Sequence, residues 1–276
     1  MSKGYNLQRI QEIELEILDE IIRICEKNHI KYNLEGGSCL GAVHHNGMIP
    51  WDDDIDIAML REEYNKFYQC CKKDLDTSRF LYQDFRTDKN CGLIFAKIRR
   101  KNTLLSENYS SHLKFHQGVW VDIFCYDSVP ADEKQRNALR KRMKFLQNVY
   151  IIRCGYNLPD TAPAYLKPIY KVVRFLLKIV PIGFLIRKMW ALMNQYNGSS
   201  EKYVFNYGGA YPEKGLFKRE LFEHTIDHEF NGRRAKIVED YPGYLKQLYN
   251  DYMKLPPENK RNGGAHFIKE FRDYSK

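Results

Sequence analysis

The sequence predicts an α+β fold, a mixed sheet with helices followed by a mainly helical, basic C-terminal part. Three observations carry this reading: an amphipathic helical repeat at the N-terminus, two runs of alternating apolar residues around positions 57 and 122, and a long basic helical pattern after residue 131. In residues 7–27, Leu7, Ile10, Ile13, Ile17, Leu18, Ile21, Ile22 and Cys25 recur at spacings of three and four, the stripe of a helix lying on a core. Ile30–Leu34 reads as a short strand, Gly36-Gly37-Ser38 as a turn, and residues 39–45 as a short helix stopping at the turn dipeptide Asn46-Gly47. After Pro50, Ile55, Ile57 and Met59 alternate with Asp54 and Asp56 as on a strand, and Arg61–Leu75 follows as a helix. Residues 79–105 and Val119–Tyr126 read as further strands. Asp132–Ile152 is a basic helix, and residues 163–195 are two helical pieces broken at Pro181 and Gly183. The remainder is rich in Tyr and Gly, with one short helix near Tyr244–Tyr252.

Of the 276 residues, 43% are apolar and 29% charged, which supplies a sizeable core and argues against disorder. Lys and Arg number 44 against 35 Asp and Glu, a net charge of +9 that points to an anionic partner. Aromatic residues are spread along the chain with no ordered stacking platform, and the basic residues carry no nucleic-acid motif, so nucleic acid is not expected as a partner. The N-terminus has no apolar signal region, and no apolar run reaches the roughly 18 residues of a membrane span. Seven Cys without a C-x-x-C pair read as reduced thiols, not as a disulfide framework or a zinc site. The sequons at Asn108 and Asn197 read as chance, and the expected location is the cytoplasm.

The most informative segment is Trp51-Asp52-Asp53-Asp54-Ile55-Asp56-Ile57. On a strand, Asp54 and Asp56 share one side while Ile55 and Ile57 face the core. Two carboxylates so close repel unless a cation lies between them, and oxygen ligands of this kind suit Mg²⁺ or Mn²⁺. Asp122, flanked by Val121 and Ile123 in VWVDIF, is the candidate third carboxylate of that site, because a buried strand does not carry a lone charge without a use for it. Upstream, Gly37 and Ser38 lie on a tight turn opening a helix, where backbone N–H groups and the Ser hydroxyl can hold a phosphate. A Gly-Ser turn, an Asp-apolar-Asp-apolar run and a later strand Asp together form a nucleotidyltransferase-type constellation. Asp53 is expected to support the metal ligands from behind. Trp51, or Trp120, could stack on a quaternary ammonium.

The segment GGSCLGAVHHNGMIPWDDDIDIAM resembles the signature of the LicD family of phosphocholine transferases, to which fukutin and fukutin-related protein are also similar. Further stretches match in order: Lys97 with Asn102-Thr103, Gly118 through Asp122-Ile-Phe, Asp127 to Pro130, and Tyr249 to Pro257 with His266. Where the family usually carries Arg-His this chain has His44-His45, a titratable group in place of a permanent cation. The resemblance implies a nucleotidyltransferase-like fold, a divalent metal and a CDP-linked donor, typically CDP-choline. The phospho-alcohol group would pass to a sugar hydroxyl of a cell-surface glycan, of teichoic acid, capsule or lipopolysaccharide type, and CMP would leave. By the same carry-over Asp54 and Asp56 bind metal, with Asp122 as third metal ligand or general base, Lys97 steadies the anionic transition state, and His44 and His45 contact the donor.

The expected division is a nucleotidyltransferase-like catalytic core over residues 1–130 and a helical, basic part over 131–276 that faces acceptor or membrane and folds back on the core. A C-terminal loop after Leu255-Pro256-Pro257 could bring Arg261 or His266 to phosphate. Residues 163–195 contain Lys167, Lys171, Arg174, Lys178, Arg187 and Lys188 and no acid, a composition suited to a helix lying on an anionic membrane, here the inner face of the cell membrane, where a lipid-linked acceptor would be met. Three other readings stand beside the leading one: transfer of ribitol, glycerol or ethanolamine phosphate, a true nucleotidyltransferase releasing pyrophosphate, and a membrane-bound glycan-binding module.

Overall fold

The computed structural model describes residues 5–159, 162–209, 213–258, 261 and 268–275. In chain order the elements are α1 (Leu7–Lys27), β1 (Asn33–Leu34), α2 (Gly36–His45), β2 (Asp56–Leu60), α3 (Arg61–Asp74), β3 (Phe80–Gln83), β4 (Ala96–Arg100), β5 (Thr103–Glu107) and β6 (Trp120–Val129). There follow α4 (Glu133–Cys154), α5 (Leu166–Leu177), α6 (Ile182–Asn194), β7 (Tyr203–Asn206), β8 (Leu216–Lys218), β9 (Thr225–Phe230), β10 (Arg233–Val238), α7 (Tyr241–Tyr249) and β11 (Ile268–Asp273).

The α+β class is borne out, with a mixed sheet ordered β1-β2-β6-β4-β3. β2 and β6 run parallel, while β1, β4 and β3 join antiparallel. β6 is buried throughout and long enough to hold two neighbours on one edge: Trp120–Ile123 pairs with β4, and Tyr126–Val129 pairs with β7. β8 extends that second arm. Two antiparallel pairs, β9–β10 and β5–β11, complete the strands.

The C-terminal part departs from the expected helical character. Helices α4 to α6 fill residues 133–194, but β7 to β11 follow, and β7 hydrogen-bonds to the strand that carries Asp122. The reason is chemical: Tyr203-Val-Phe-Asn carries aromatic and β-branched side chains that supply β-propensity, whereas no helical stripe begins there.

Ile10, Ile13, Ile17, Leu18 and Ile21 of α1 are fully buried against the main core, with Ile55, Ile57, Val121 and Ile123 of the sheet. α1 starts at an Asn6 cap, whose side chain accepts from Arg9 N. At the far end of β6, Arg61 and Asp127 form a buried bidentate pair, Nε to Oδ1 at 2.7 Å and a second nitrogen to Oδ2 at 2.8 Å, and Asn197 Nδ2 donates to Asp127 at 2.7 Å. That pair ties α3, β6 and the end of α6 together.

Candidate active site

Strand register assembles the site. Asp56 on β2 lies opposite Asp122 on β6, Asp122 opposite Lys97 on β4, and Lys97 opposite Gln83 on β3. Beyond β1, Glu35 N donates to Asp56 O at 2.9 Å and continues the same row. Paired residues share a face, so Glu35, Asp56, Asp122, Lys97 and Gln83 form one polar line across the sheet, with neighbours about 5 Å apart. Three of the five are carboxylates. A row like this is foreign to a core and marks a surface built for a ligand.

The acidic part of the line opens on a cavity of about 590 Å³ lined by Asp52, Asp54, Asp56 and Asp122, by Glu35, Gly36 and Gly37 at the start of α2, and by the aromatic rings of Tyr109, Phe124, Tyr126 and Tyr249; Lys97 and Gln83 do not line it. Asn206, Gly208 and Gly209 close it from the β7 side. Asp54, Asp56, Asp122 and Gly37 therefore meet in one cavity. β2 starts only at Asp56, so Asp54 precedes the strand and does not lie on it. The preceding loop turns away to pack on α1, where Gln11 Nε2 donates to the carbonyls of Asp52 (2.8 Å) and Ile49 (3.4 Å). Ile55 O still accepts from Asp122 N at 3.0 Å, so Ile55 stays buried and the acid alternation survives.

The remaining expected residues are placed one by one. Ser38 does not face a phosphate with a spare lone pair alone: its Oγ accepts from Asp56 N at 2.9 Å and so fixes the first acid of β2. Ser38 N donates to Glu35 O and Gly36 N donates to the Tyr244 hydroxyl, both at 2.9 Å, so the opening turn of α2 is braced from inside the protein. Lys97 is buried and straddles Asp122, with Nζ 2.7 Å from Oδ1 and 3.0 Å from Oδ2. Its ammonium also lies 4.1 Å from the centre of the Trp120 ring, which occupies that ring from within the core. His44 Nε2 lies 2.6 Å from Tyr252 O, and His45 meets Trp51 edge-on at 6.0 Å. Arg261 covers the Trp51 ring at 5.3 Å. His44, His45, Trp51 and Arg261 thus cluster beside the acid loop and outside the cavity lining, and both tryptophan faces expected for an ammonium are engaged by the protein's own cations. Asp53 is buried, and His266 lies outside the described residues.

Sequence reasoning missed Glu14. It sits in the middle of the apolar stripe of α1, fully buried, and neither of its carboxylate oxygens meets a hydrogen-bond donor. Burial holds its carboxyl well above the ordinary range, and Asp54, Asp53, Asp52 and Asp56 push it further. The signal was an acid inside the repeat Ile10, Ile13, Ile17, Ile21. Asp56 is in the same condition: burial raises it well above its usual value, Asp54, Asp122 and Glu35 add to this, and Lys97 opposes it. Glu35 is pushed up to about 7 by burial, although the Tyr126 hydroxyl donates to it at 2.6 Å.

These acids fit a divalent cation. Asp56 Oδ1 is buried without a donor, as are both oxygens of Glu14. Among the described residues, Asp52, Asp53 and Asp54 present carboxylate oxygens within 4.8 Å of one another. Such groups take up either protons or a cation, and an all-oxygen donor set suits Mg²⁺ or Mn²⁺. A glycine keeps the acids close to α2: a Cβ on Gly37 would come 3.1 Å from Asp52 Oδ2.

Known proteins share this stretch of sequence. Residues 29–148, which contain α2, the acid loop, β2, Lys97 and Asp122, match the profile of the LicD/FKTN/FKRP nucleotidyltransferase domain. The lipopolysaccharide cholinephosphotransferase LicD of Haemophilus influenzae is 29% identical over 285 residues, covering 97% of this chain and 98% of that protein. An uncharacterised protein of Rickettsia prowazekii is 32% identical over 140 residues, 44% of this chain and 47% of its own length. Human ribitol 5-phosphate transferase FKRP is 42% identical over a stretch of 43 residues, 16% of this chain and 9% of FKRP. Residues 29–148 thus match the LicD-family domain, and the chain is similar to Haemophilus influenzae LicD along nearly its whole length.

Proposed function

We propose that the protein transfers phosphocholine from CDP-choline to a sugar hydroxyl of a cell-surface glycan, releasing CMP, with Mg²⁺ or Mn²⁺ as cofactor and a nucleotidyltransferase-like core as scaffold. The observation that carries the proposal is Asp56 and Asp122 side by side on an aromatic-walled cavity, with Lys97 paired to Asp122. Likeness to LicD along nearly the whole chain supports phospho-alcohol transfer, as does the shorter match to FKRP.

Asp54 and Asp56, with Asp52 beside them, would hold the cation, which when bound neutralises charge on the donor's pyrophosphate. Asp122 borders the cavity with Oδ2 hydrogen-bonded by Lys97 and Oδ1 without a hydrogen-bond donor, so it is oriented to accept the proton of the acceptor hydroxyl. The acceptor oxygen bonds to the phosphorus that bears choline, the bond from that phosphorus to the bridging oxygen breaks, and CMP leaves with the electron pair. Lys97 holds the Asp122 carboxylate in place and offsets negative charge in the transition state. The choline ammonium is assigned to the rings of Tyr109, Phe124, Tyr126 and Tyr249, which take the place first given to Trp51.

The test uses folded variants. Asp56→Asn should abolish transfer while leaving the circular dichroism spectrum and melting curve near those of the wild type; Asp122→Asn should abolish it with the same circular dichroism spectrum but a lower melting temperature, because buried Lys97 loses its counter-charge. Full activity in either one removes the mechanism. The match to FKRP keeps ribitol phosphate as the second donor, and CDP-ribitol turnover exceeding that of CDP-choline would select it.

A further inference from the structure

Helix α5 stands apart from the core. None of its residues is buried. At 100° per residue, Leu166, Tyr170, Arg174 and Leu177 share the half-covered side that rests on the body of the protein. Turning away from that side, Ile169, Val172, Leu176 and Ile179 fall within about 80° of one another. Their exposures are 56, 59, 58 and 85%, and the adjacent Phe175 is 69% exposed. Lys167, Lys171 and Lys178, all exposed, follow on one flank, about 40–80° beyond Phe175. Across residues 163–195 there is no Asp or Glu.

Two features decide what covers such a face. Large apolar side chains left in water over several turns mark an interaction site. Cations bordering them without a single acid select an anionic surface, and a second copy of this chain, at net charge +9, presents the wrong sign. No helix among the described residues is long and apolar enough to cross a membrane, so the face would lie in the interface without spanning it. We propose that α5 docks the protein on an anionic lipid bilayer, with Ile169, Val172, Leu176 and Ile179 inserted among the acyl chains and Lys171 and Lys178 at the headgroups.

The placement has a consequence for the cavity. The Tyr170 hydroxyl donates to Tyr156 O at 2.6 Å, and the Tyr156 ring stacks on Tyr109 with centroids 5.9 Å apart. Tyr109 lines the cavity, so the docked helix holds one cavity wall through a single intervening residue. An acceptor anchored in the bilayer would meet the site at that wall. The docking itself does not depend on the donor assignment.

The experiment is co-sedimentation of the full chain with phosphatidylcholine vesicles, with and without phosphatidylglycerol. Wild type should pellet with the anionic vesicles and bind neutral ones at least about tenfold more weakly. Phe175→Asp/Ile179→Asp should lose the binding while keeping its melting temperature, and Lys171→Glu/Lys178→Glu should lose the preference for anionic lipid. Should the aspartates unfold the helix, Val172→Ser/Leu176→Ser probes the same face and should also cut the binding. Failure of wild type to pellet, or equal pelleting of the apolar-face variants, overturns the proposal. So does a wild-type dimer in light scattering that these variants dissociate, because the face would then be a self-association surface.

Discussion

Glu14→Met tests how the acid site is built into the core. Glu14 is fully buried with no donor for either oxygen, and Met has a similar length without the polar atoms. Burying a polar group unpaired costs about 1–3 kcal/mol, so the variant should gain about that much stability in the absence of metal. For chains of 150–250 residues 1 kcal/mol moves the melting temperature by roughly 2–4 °C, which makes the gain measurable. The pH dependence has a definite sign. The folded carboxyl titrates above its ordinary value, so wild type binds an extra proton on folding and loses stability as pH rises past the unfolded value. The gain from Glu14→Met should therefore be larger at pH 8 than at pH 5. The assay is chemical denaturation in EDTA at both pH values, repeated with Mn²⁺, which should narrow the gap because a cation among these acids relieves the same repulsion. A variant less stable than wild type in EDTA at pH 8 would refute the reasoning, since the carboxyl would then be making favourable contacts.

Other perturbations follow from the same geometry. Glu35, raised to about 7 from 4.5, should contribute stability that is complete below about pH 4.5 and lost by about pH 7. Its shift corresponds to about 3 kcal/mol, so Glu35→Gln should flatten the difference between denaturation at pH 5 and at pH 7.5, and an unchanged slope would contradict the assignment. Asp127→Ala leaves Arg61 buried without its bidentate partner and should cost about 3–5 kcal/mol in urea denaturation; a loss below about 1 kcal/mol would show the pair to be dispensable. In Gly41→Ala the new Cβ would lie 2.5 Å from Gly47 O and 3.1 Å from Ile49 N, so the loop carrying Asp52 to Asp54 must move. Transfer should fall by about 10²-fold with the fold retained, and wild-type kcat would show that the loop tolerates displacement.

Much of the site was legible because period-2 alternation is local. Ile55 and Ile57 are buried while Asp54 and Asp56 face the cavity, as their spacing implies, and Asp122 stands opposite Asp56 in register. What could not be read depends on pairing between distant segments. Nothing local to Tyr203–Asn206 shows that it joins the edge of β6, and so Asn206, Gly208 and Tyr249 were not expected at the cavity. Trp51 and Trp120 had the right chemistry for an ammonium, but contacts with Arg261 and Lys97 are set by tertiary packing. Glu35 lies beside the readable Gly36-Gly37-Ser38 turn, yet its place in the polar line depends on the β1–β2 register. Only Glu14 left a trace that a stricter reading would have caught, a charge on the stripe of Ile10, Ile13, Ile17 and Leu18.

The most direct test of the central claim is CMP release by purified protein with Mg²⁺ or Mn²⁺ across CDP-choline, CDP-ethanolamine, CDP-glycerol and CDP-ribitol, with Asp56→Asn as control. The account predicts metal-dependent CMP release that is fastest from CDP-choline and absent in the variant. Absence of CMP from all four donors, together with no donor binding by calorimetry, would contradict it.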